Sequence, residues 1–344
     1  MAKQKKSQNV TIIDVARDSG VSYSTVSRVL NGYEFVKEST REKVLASAKA
    51  LGYVANQQAR SLAGGHTNII GLLVPTLDMG YVATIATGVD EALSKTGYDI
   101  VLYTTHRQQE KEARYAKMIA NGLSDGLLLL APAYMDDYVD MFVGNQFPYV
   151  MIDQEDPQHR SSTIAVTNWQ GAYDATQYLI SLGHQRIAHI AGLESMSSAQ
   201  QRLAGYRAAL AEHTIAYHEE LVVSGEYKQK ESVQVTHHFL DLDTPPTAIF
   251  AANDTMAFGA IEAAMSRDIG IPEQLSIIGF DDVAQAMYSY PKLTTIRQPL
   301  DQMGRTATRL LLSLIENPKQ KSQQITLGTQ LIQRDTCAPP YRQS

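Results

Sequence analysis

Two groups of residues in this chain carry recognition chemistry. The first lies between Gly20 and Leu30, where Tyr23, Ser24, Ser27 and Arg28 fall opposite the apolar Val26, Val29 and Leu30 on a helical projection. A guanidinium fork such as that of Arg28 can hold a guanine edge through two parallel N–H donors, and the tyrosine and serine hydroxyls reach base edges or phosphates. The second group follows apolar runs: Asp153 after Tyr149–Ile152, Asn253-Asp254 after Ala248–Ala251, and Asp281-Asp282 after Ser276–Phe280. Arg202, read as opening a helix, and Tyr227, after the run Glu220–Val223, join them. Carboxylates and amides accept from and donate to hydroxyl groups, while an aromatic face covers the C–H face of a pyranose. Asp and Asn at strand ends also cap the following helix. Their convergence on one cleft is what favours binding over capping.

Other polar residues are poor candidates for chemistry. His237 and His238 are adjacent and point apart on a helix, which suits a solvated face better than chelation. His184 and His189 have no Cys or carboxylate at ligand spacing. The phosphate-loop, dinucleotide-binding and nucleophile-elbow patterns are absent. Trp169 is read as packing at a helix start. No constellation of acid, base, nucleophile or metal ligand emerges, so the chain is expected to be neither an enzyme nor a holder of a metal or cofactor. The single cysteine, Cys337, excludes an internal disulfide.

The elements that position the first group are helices. Thr11 to Ser19 reads as one helix with Thr11 at its N-cap, Gly20 allows a turn of positive φ, and Ser22 caps a second helix running to about Leu30. Ala16 lets the two cross closely. The spacing is that of a helix-turn-helix, and its alternative is a plain three-helix bundle with a polar exterior. A third helix capped at Ser39-Thr40 runs to Gly52. Asn56 to Ala63 reads as a short helix, too poor in apolar residues to stand without a partner. Residues 1–66 hold ten Lys/Arg against five Asp/Glu, and the remainder twenty against thirty-one. That asymmetry suits a basic head approaching polyphosphate, although a solvated basic tail would give the same count.

The second group sits on alternating strands and helices. Strands are expected at Ile69–Val74, Ile100–Tyr103, Leu127–Leu130 and Tyr149–Ile152, then Arg186–Ala191, Glu220–Val223, Ala248–Ala251 and Ser276–Phe280. Amphipathic helices near 81–95, 109–120, 137–143, 169–182, 199–212, 231–240 and 255–266 separate them. Two such series imply an α/β body of two doubly wound lobes, with ligands bound beyond the strand C-termini. The expected division is a helix-turn-helix domain at 1–54, a hinge at 55–66 and an effector-binding, dimerising body at 67–344. Lobe 1 takes about 67–166 and 297–326, and lobe 2 about 167–296 and 327–340. The balance of 44% apolar and 19% charged residues is that of a globular protein. With no long apolar run and no signal-like N-terminus, a cytoplasmic location and no membrane partner are expected.

Collinear runs through the whole chain make it resemble the lactose-repressor (LacI/GalR) family. In the head they are Thr11–Ala16, Gly20–Gly32, Ser39–Val44, Leu51–Tyr53 and Asn56 with Ala59–Leu62. In the body they include Ile70–Pro75, Asp125-Gly126, Arg202–Tyr206, Pro246–Phe250, Asn253-Asp254, Ile278–Asp281 and Leu293–Gln298. The resemblance implies a small all-α head-piece on a periplasmic-binding-protein-like body. It places Tyr23, Ser24 and Arg28 in the major groove, within a DNA-facing set of Thr11, Ser22, Thr25, Ser27 and Asn31. It makes Asn56, Ala59 and Leu62 a hinge helix in the minor groove, Leu62 being the apolar wedge. Ala55 stands where the family commonly has proline, so this hinge orders less readily. Arg202, Asn253 and Asp281 match effector-contacting positions, Tyr227 a stacking aromatic, Asp153 an inter-lobe position and Tyr81 a cleft-lining one.

The expected protein is a homodimeric repressor that reads a pseudo-palindromic operator in double-stranded DNA and answers to a mono- or oligosaccharide in the cleft. The tail from Thr329 has no leucine heptads to make a coiled-coil tetramer. Three rivals remain: a co-repressed regulator answering to a nucleobase or a phosphorylated carrier protein, a free solute-binding protein, and a sugar-pathway enzyme.

Overall fold

The computed structural model describes residues 10–30, 33, 35–53, 66–77 and 80–340, in two compact units. The expected hinge residues Asn56, Ala59 and Leu62, and Asn31 of the DNA-facing set, lie outside the described residues.

The first unit contains α1 (Ile12–Ser19), α2 (Tyr23–Leu30) and α3 (Glu38–Leu51). Val15, Val26, Val29, Val44 and Ala48 form its buried core, with Ile12, Ala16, Val21 and Leu51 packed around them. Thr11 and Asp14 make a reciprocal capping box at the start of α1. Gly20 ends α1 at φ +70°, and its N–H donates to the Ala16 carbonyl. The sequence misplaces one start: α3 begins at Glu38, with Lys37 as N-cap and no side-chain cap. The Lys37 carbonyl accepts from both Thr40 N and Arg41 N, and Glu38 in the first turn complements the helix dipole. Ser39 and Thr40 are therefore inside the helix. Within the same unit the Asp125 carboxylate accepts from Thr67 N (2.6 Å), Thr67 Oγ1 (2.9 Å) and Asn68 N (2.9 Å).

The second unit has two six-stranded sheets. One is built from β1 (Ile69–Val74), β2 (Asp99–Thr104), β3 (Gly126–Leu130), β4 (Tyr149–Ile152), β5 (Ser162–Val166) and β11 (Gln324–Leu327), in the order β11-β5-β4-β3-β1-β2, all parallel. The other holds β6 (Ile187–Ala191), β7 (Val222–Ser224), β8 (Ala248–Ala251), β9 (Ser276–Asp281), β10 (Thr294–Arg297) and β12 (Gln330–Ile332), in the order β12-β10-β9-β8-β6-β7. Only its edge pair β10–β12 is antiparallel. Strands β1, β3, β4, β8 and β9 are buried almost throughout, because helices cover both faces.

On the first sheet α4 (Tyr81–Leu93) and α12 (Leu300–Glu316) pack over Ile70, Leu72, Leu128 and Leu130 through Ile85, Val89, Met303 and Leu311. The two helices touch at glycines: a Cβ on Gly88 would meet the Asp301 carbonyl, and one on Gly304 the Ile85 carbonyl. On the second sheet α7 (Asn168–Ser181) and α8 (Ser197–Glu212) bury Leu179, Tyr206 and Leu210 against Phe250 and Phe280. On its other face α9 (Gln229–Leu240) and α10 (Asp254–Met265) bury Phe239 and Met256 against Ile249 and Ile277. The remaining α-helices among the described residues are α5 (Gln109–Met118), α6 (Val139–Gly144) and α11 (Ala284–Tyr288).

The chain passes between the sheets three times: after β5, between β10 and α12, and between β11 and β12. The first and third passages are tied together, Thr167 Oγ1 lying 2.8 Å from Thr329 Oγ1 and Thr167 N donating to the Leu327 carbonyl. In the second, Gln298 N donates to the Asp281 carbonyl. These strands tether two lobes whose facing strand ends frame a cleft. The sequence reading of Glu220-Leu221 as strand is corrected: a 3₁₀ turn occupies Glu219–Leu221, and β7 starts at Val222.

Candidate functional site

In the first unit, Ser22 starts α2 by accepting from Thr25 N (3.2 Å), and its hydroxyl meets those of Ser24 (2.9 Å) and Thr25 (2.8 Å). These contacts fix the first turn and hold small polar groups at its exposed end. Tyr23, Ser24 and Arg28 are exposed, whereas Val26 and Val29 are buried. Arg28 makes no ion pair among the described residues. Ser27 is half-buried. Thr11 is committed to its cap, donating to Asp14 Oδ2 at 2.7 Å.

In the second unit a cavity of about 730 Å³ opens between the lobes. All six effector candidates, Tyr81, Asp153, Arg202, Tyr227, Asn253 and Asp281, line it. Each arrives at the C-terminal edge of a sheet. Asp153 follows β4 with φ +58° and accepts from the Tyr81 hydroxyl at 2.8 Å. Its other oxygen, Oδ1, is buried with no hydrogen bond. Burial pushes the Asp153 carboxyl up, and the Arg202 charge pulls it back.

Arg202 lies in the second turn of α8 rather than at its start, and it is 2% exposed. Nε donates to Asn168 Oδ1 (2.9 Å), Nη1 donates to the Ala252 carbonyl (2.5 Å), and the guanidinium plane sits 3.8 Å from the Phe280 ring centroid. Asp281 faces Nη1 at 3.9 Å and accepts from Gln298 Nε2 at 2.6 Å. Its backbone is held at φ +122°, a region costly for a non-glycine residue. Burial drives the Asp281 carboxyl well above the usual carboxylate range, against the Arg202 charge. Because Gln298 sits on a passage between the lobes, the site is braced by the crossover itself.

Asn253 caps α10, its Oδ1 accepting from Met256 N at 2.9 Å. That leaves the amide N–H groups for the cleft. Asp254, the adjacent strand-end acid, turns inward instead: it accepts from Val283 N and Thr295 Oγ1, and burial pushes it up to about 7. Asp282 is likewise structural, paired with Arg297 and Arg334 at 2.6 Å each. Tyr227 (φ +59°) lays its ring against Gly192, where any side chain would collide, and its buried hydroxyl, near Ser198, makes no well-placed hydrogen bond.

Several lining residues escaped the sequence reading. Arg107 and His106, at φ +55° and +52°, reach the cleft from the loop after β2. Arg107 stands 5.5 Å from the centroid of the Tyr227 ring, bridging the lobes. Ser197 donates to Gln154 Oε1 through N (3.2 Å) and Oγ (2.8 Å), a second bridge. The strand-end rule that found Asp153 applied equally to the residues after β2. Two of the histidines set aside are structural: His184 is hydrogen-bonded to Thr247 and Ser276, and His189 is stacked between Tyr206 and Phe250 and pushed down to about 4 by burial. Trp169, in the first turn of α7, is 40% exposed and stacks on Tyr173. No group of metal-ligating side chains occurs among the described residues, nor any helix long and apolar enough to cross a membrane.

A head of helix-turn-helix geometry and a two-lobed α/β body with an inter-lobe cleft define a ligand-responsive DNA-binding regulator. The comparisons agree: residues 11–56 match the model of bacterial regulatory proteins of the lacI family, and residues 176–337 match a periplasmic binding protein-like domain. This chain belongs to the lacI family of transcriptional regulators, which are not enzymes. It is 36% identical over 335 residues to the HTH-type transcriptional repressor PurR of Erwinia tasmaniensis, covering 96% of this chain and 98% of that one. It is 32% identical over 332 residues to the probable HTH-type transcriptional repressor ExuR of Bacillus subtilis, covering 95% and 98%. Among solved structures, the CelR–cellobiose complex is similar at 33% identity and a TM-score of 0.74, covering 95% of this chain and 99% of that one. The lac repressor dimer bound to operator and the anti-inducer ONPF is similar at 29% identity and a TM-score of 0.81, covering 96% and 100%.

Proposed function

We propose that this protein is a cytoplasmic, homodimeric repressor of carbohydrate-utilisation genes whose operator affinity is set by a sugar in the inter-lobe cleft. The observation that carries the reading is the convergence of Asp153, Arg202, Asn253 and Asp281 on one cavity, with Asp153 Oδ1 and the Tyr227 hydroxyl buried and without a well-placed hydrogen bond. Buried polar atoms without partners are costly, and a polyol satisfies acceptors and donors together. Tyr227 supplies the flat apolar surface that a pyranose needs beside them. Tyr23, Ser24 and Arg28 are the residues assigned to base reading, with Ser22, Thr25 and Ser27 toward phosphate and Thr11 at the helix cap. Asn31 joins that set, and Asn56, Ala59 and Leu62 are assigned to the hinge.

A nucleobase is the second reading. Arg202 and Asp281 offer a neighbouring donor and acceptor beside the Tyr227 ring, and a planar heterocycle could use that edge. Fluorescence anisotropy separates the two. DNA from upstream of the gene is titrated with the full chain, with and without mono- and disaccharides or purine bases. Tight, salt-dependent binding altered by a sugar supports the first reading. Binding altered only by a base overturns it in favour of the second.

A further inference from the structure

We propose that the effector carries an acidic group, a carboxylate or a phosphate, and that Arg107 is the residue that seats it. The inference rests on the reading of the cleft as a sugar site and names the class of sugar. The charged groups around the cavity are unequally satisfied. Arg202 spends its donors on Asn168 and the Ala252 carbonyl and faces Asp281. Lys228 is held by Glu226 at 2.7 Å and Glu231 at 3.9 Å. Arg107 has neither kind of partner: among the described residues no carboxylate lies within ion-pair distance of it, and its Nη1 is buried with no acceptor.

The Tyr227 ring does not remove this deficit. At 5.5 Å to the centroid the stacking is near the outer limit of about 6 Å for such contacts. A π-face contact supplies no hydrogen-bond acceptor in the plane of the fork, so Nη1 is left without one. Arg107 is half-buried, but its covered Nη1 needs an acceptor, and an anionic one makes charge-assisted bonds roughly twice as strong as a neutral hydroxyl does. Its planar fork matches two oxygens of a carboxylate or phosphate, a geometry that a single hydroxyl cannot fill. The backbone supports this placement, since two successive non-glycine residues, His106 and Arg107, are held at positive φ to turn the side chain toward the cavity. Arg107 comes from the first lobe and Tyr227 from the second, so an anion bound there would be gripped where the lobes meet.

The test is calorimetric titration of the full chain and of Arg107→Gln with galacturonate, glucuronate, galactose 6-phosphate and glucose 6-phosphate, each beside its neutral parent sugar, and with adenine, guanine and hypoxanthine. Wild type is expected to bind one acidic sugar at least tenfold more tightly than the parent, and Arg107→Gln to bind the acidic sugar and its parent alike. Uronates alone identify a carboxylate and hexose phosphates alone a phosphate. Intact operator binding and an unchanged melting temperature show that the variant is folded. Equal or tighter binding of a neutral sugar overturns the proposal and leaves the sugar reading standing, as does an acidic preference that survives in Arg107→Gln. Binding of purine bases with no sugar bound at all overturns both.

Discussion

Asp254 and Asp281 have different roles yet are electrostatically linked, since each sits at the C-terminal edge of the second sheet and burial raises both. Asp281 faces the ligand cavity, whereas Asp254 ties the start of α10 to Val283 and Thr295. The consequence for stability follows from linkage. A carboxyl whose folded value lies above its unfolded value binds its proton more tightly in the native state. Its stabilising share is present below the unfolded value near 3.8 and is lost as pH rises to about 7. Melting temperature of the full chain is therefore expected to fall between pH 5 and pH 7.5 through this group. In Asp254→Asn the slope over that window should be shallower, although overall stability drops because an amide NH2 replaces one of the two accepting oxygens. An identical slope in the variant would remove Asp254 as its source. The residue scale also shows where sequence reading stops. Asp153 and Asp281 were legible because each follows a buried apolar run, and ligands in such sheets bind beyond the strand C-termini. Arg107 was not, because His106-Arg107-Gln108-Gln109-Glu110-Lys111 reads as a solvated polar run. Only the approach of the other lobe turns part of it into a cleft wall.

Elements were legible where one period dominated. Strands β1, β3, β4, β8 and β9 are short apolar runs, and their bounds lie within a residue of expectation. Strands β5, β10, β11 and β12 were not anticipated, since Ser162-Thr163 and Thr294-Thr295 are polar by type and buried only by neighbours. Helix α12 was missed as well. Its apolar residues cluster toward the C-terminal half, and Gly304 interrupts it. That glycine is explained by packing: α12 and α4 approach until the Ile85 carbonyl and Val89 N occupy the space a Cβ would need. Gly304→Ala improves intrinsic helix propensity by roughly 1 kcal/mol. Against that gain stands backbone overlap, which no side-chain rotamer relieves and which costs typically about 1–3 kcal/mol. Overlap is expected to win, with a net loss of up to about 2 kcal/mol in chemical denaturation of the chain. Gly97→Ala is the comparison, a positive-φ position with open space, where only backbone strain acts. A Gly304→Ala protein as stable as the parent would mean that the two helices part without cost.

At the scale of the molecule, two binding events on separate units have to share one equilibrium. The three passages between lobes are pinned by Thr167, Gln298 and Thr329, so rearrangement of the lobes is channelled through few residues. A ligand favouring one lobe arrangement shifts operator affinity only by its differential affinity for the two states. Linkage then imposes a stringent expectation: the factor by which effector changes operator affinity equals the factor by which operator changes effector affinity. Such factors commonly fall between about 5 and 150. Anisotropy on labelled operator gives the first factor, and calorimetric titration of effector into the protein, free and operator-saturated, gives the second. Arg28→Ala provides the control, since it should lose sequence-specific binding while binding effector as the free parent does. Equal factors in the parent establish a single coupled equilibrium between cleft and head. Unequal factors would require a further linked process, with subunit association the first to examine by repeating both titrations across protein concentration, because a dimer that dissociates on one ligand adds its own free energy to only one side of the cycle.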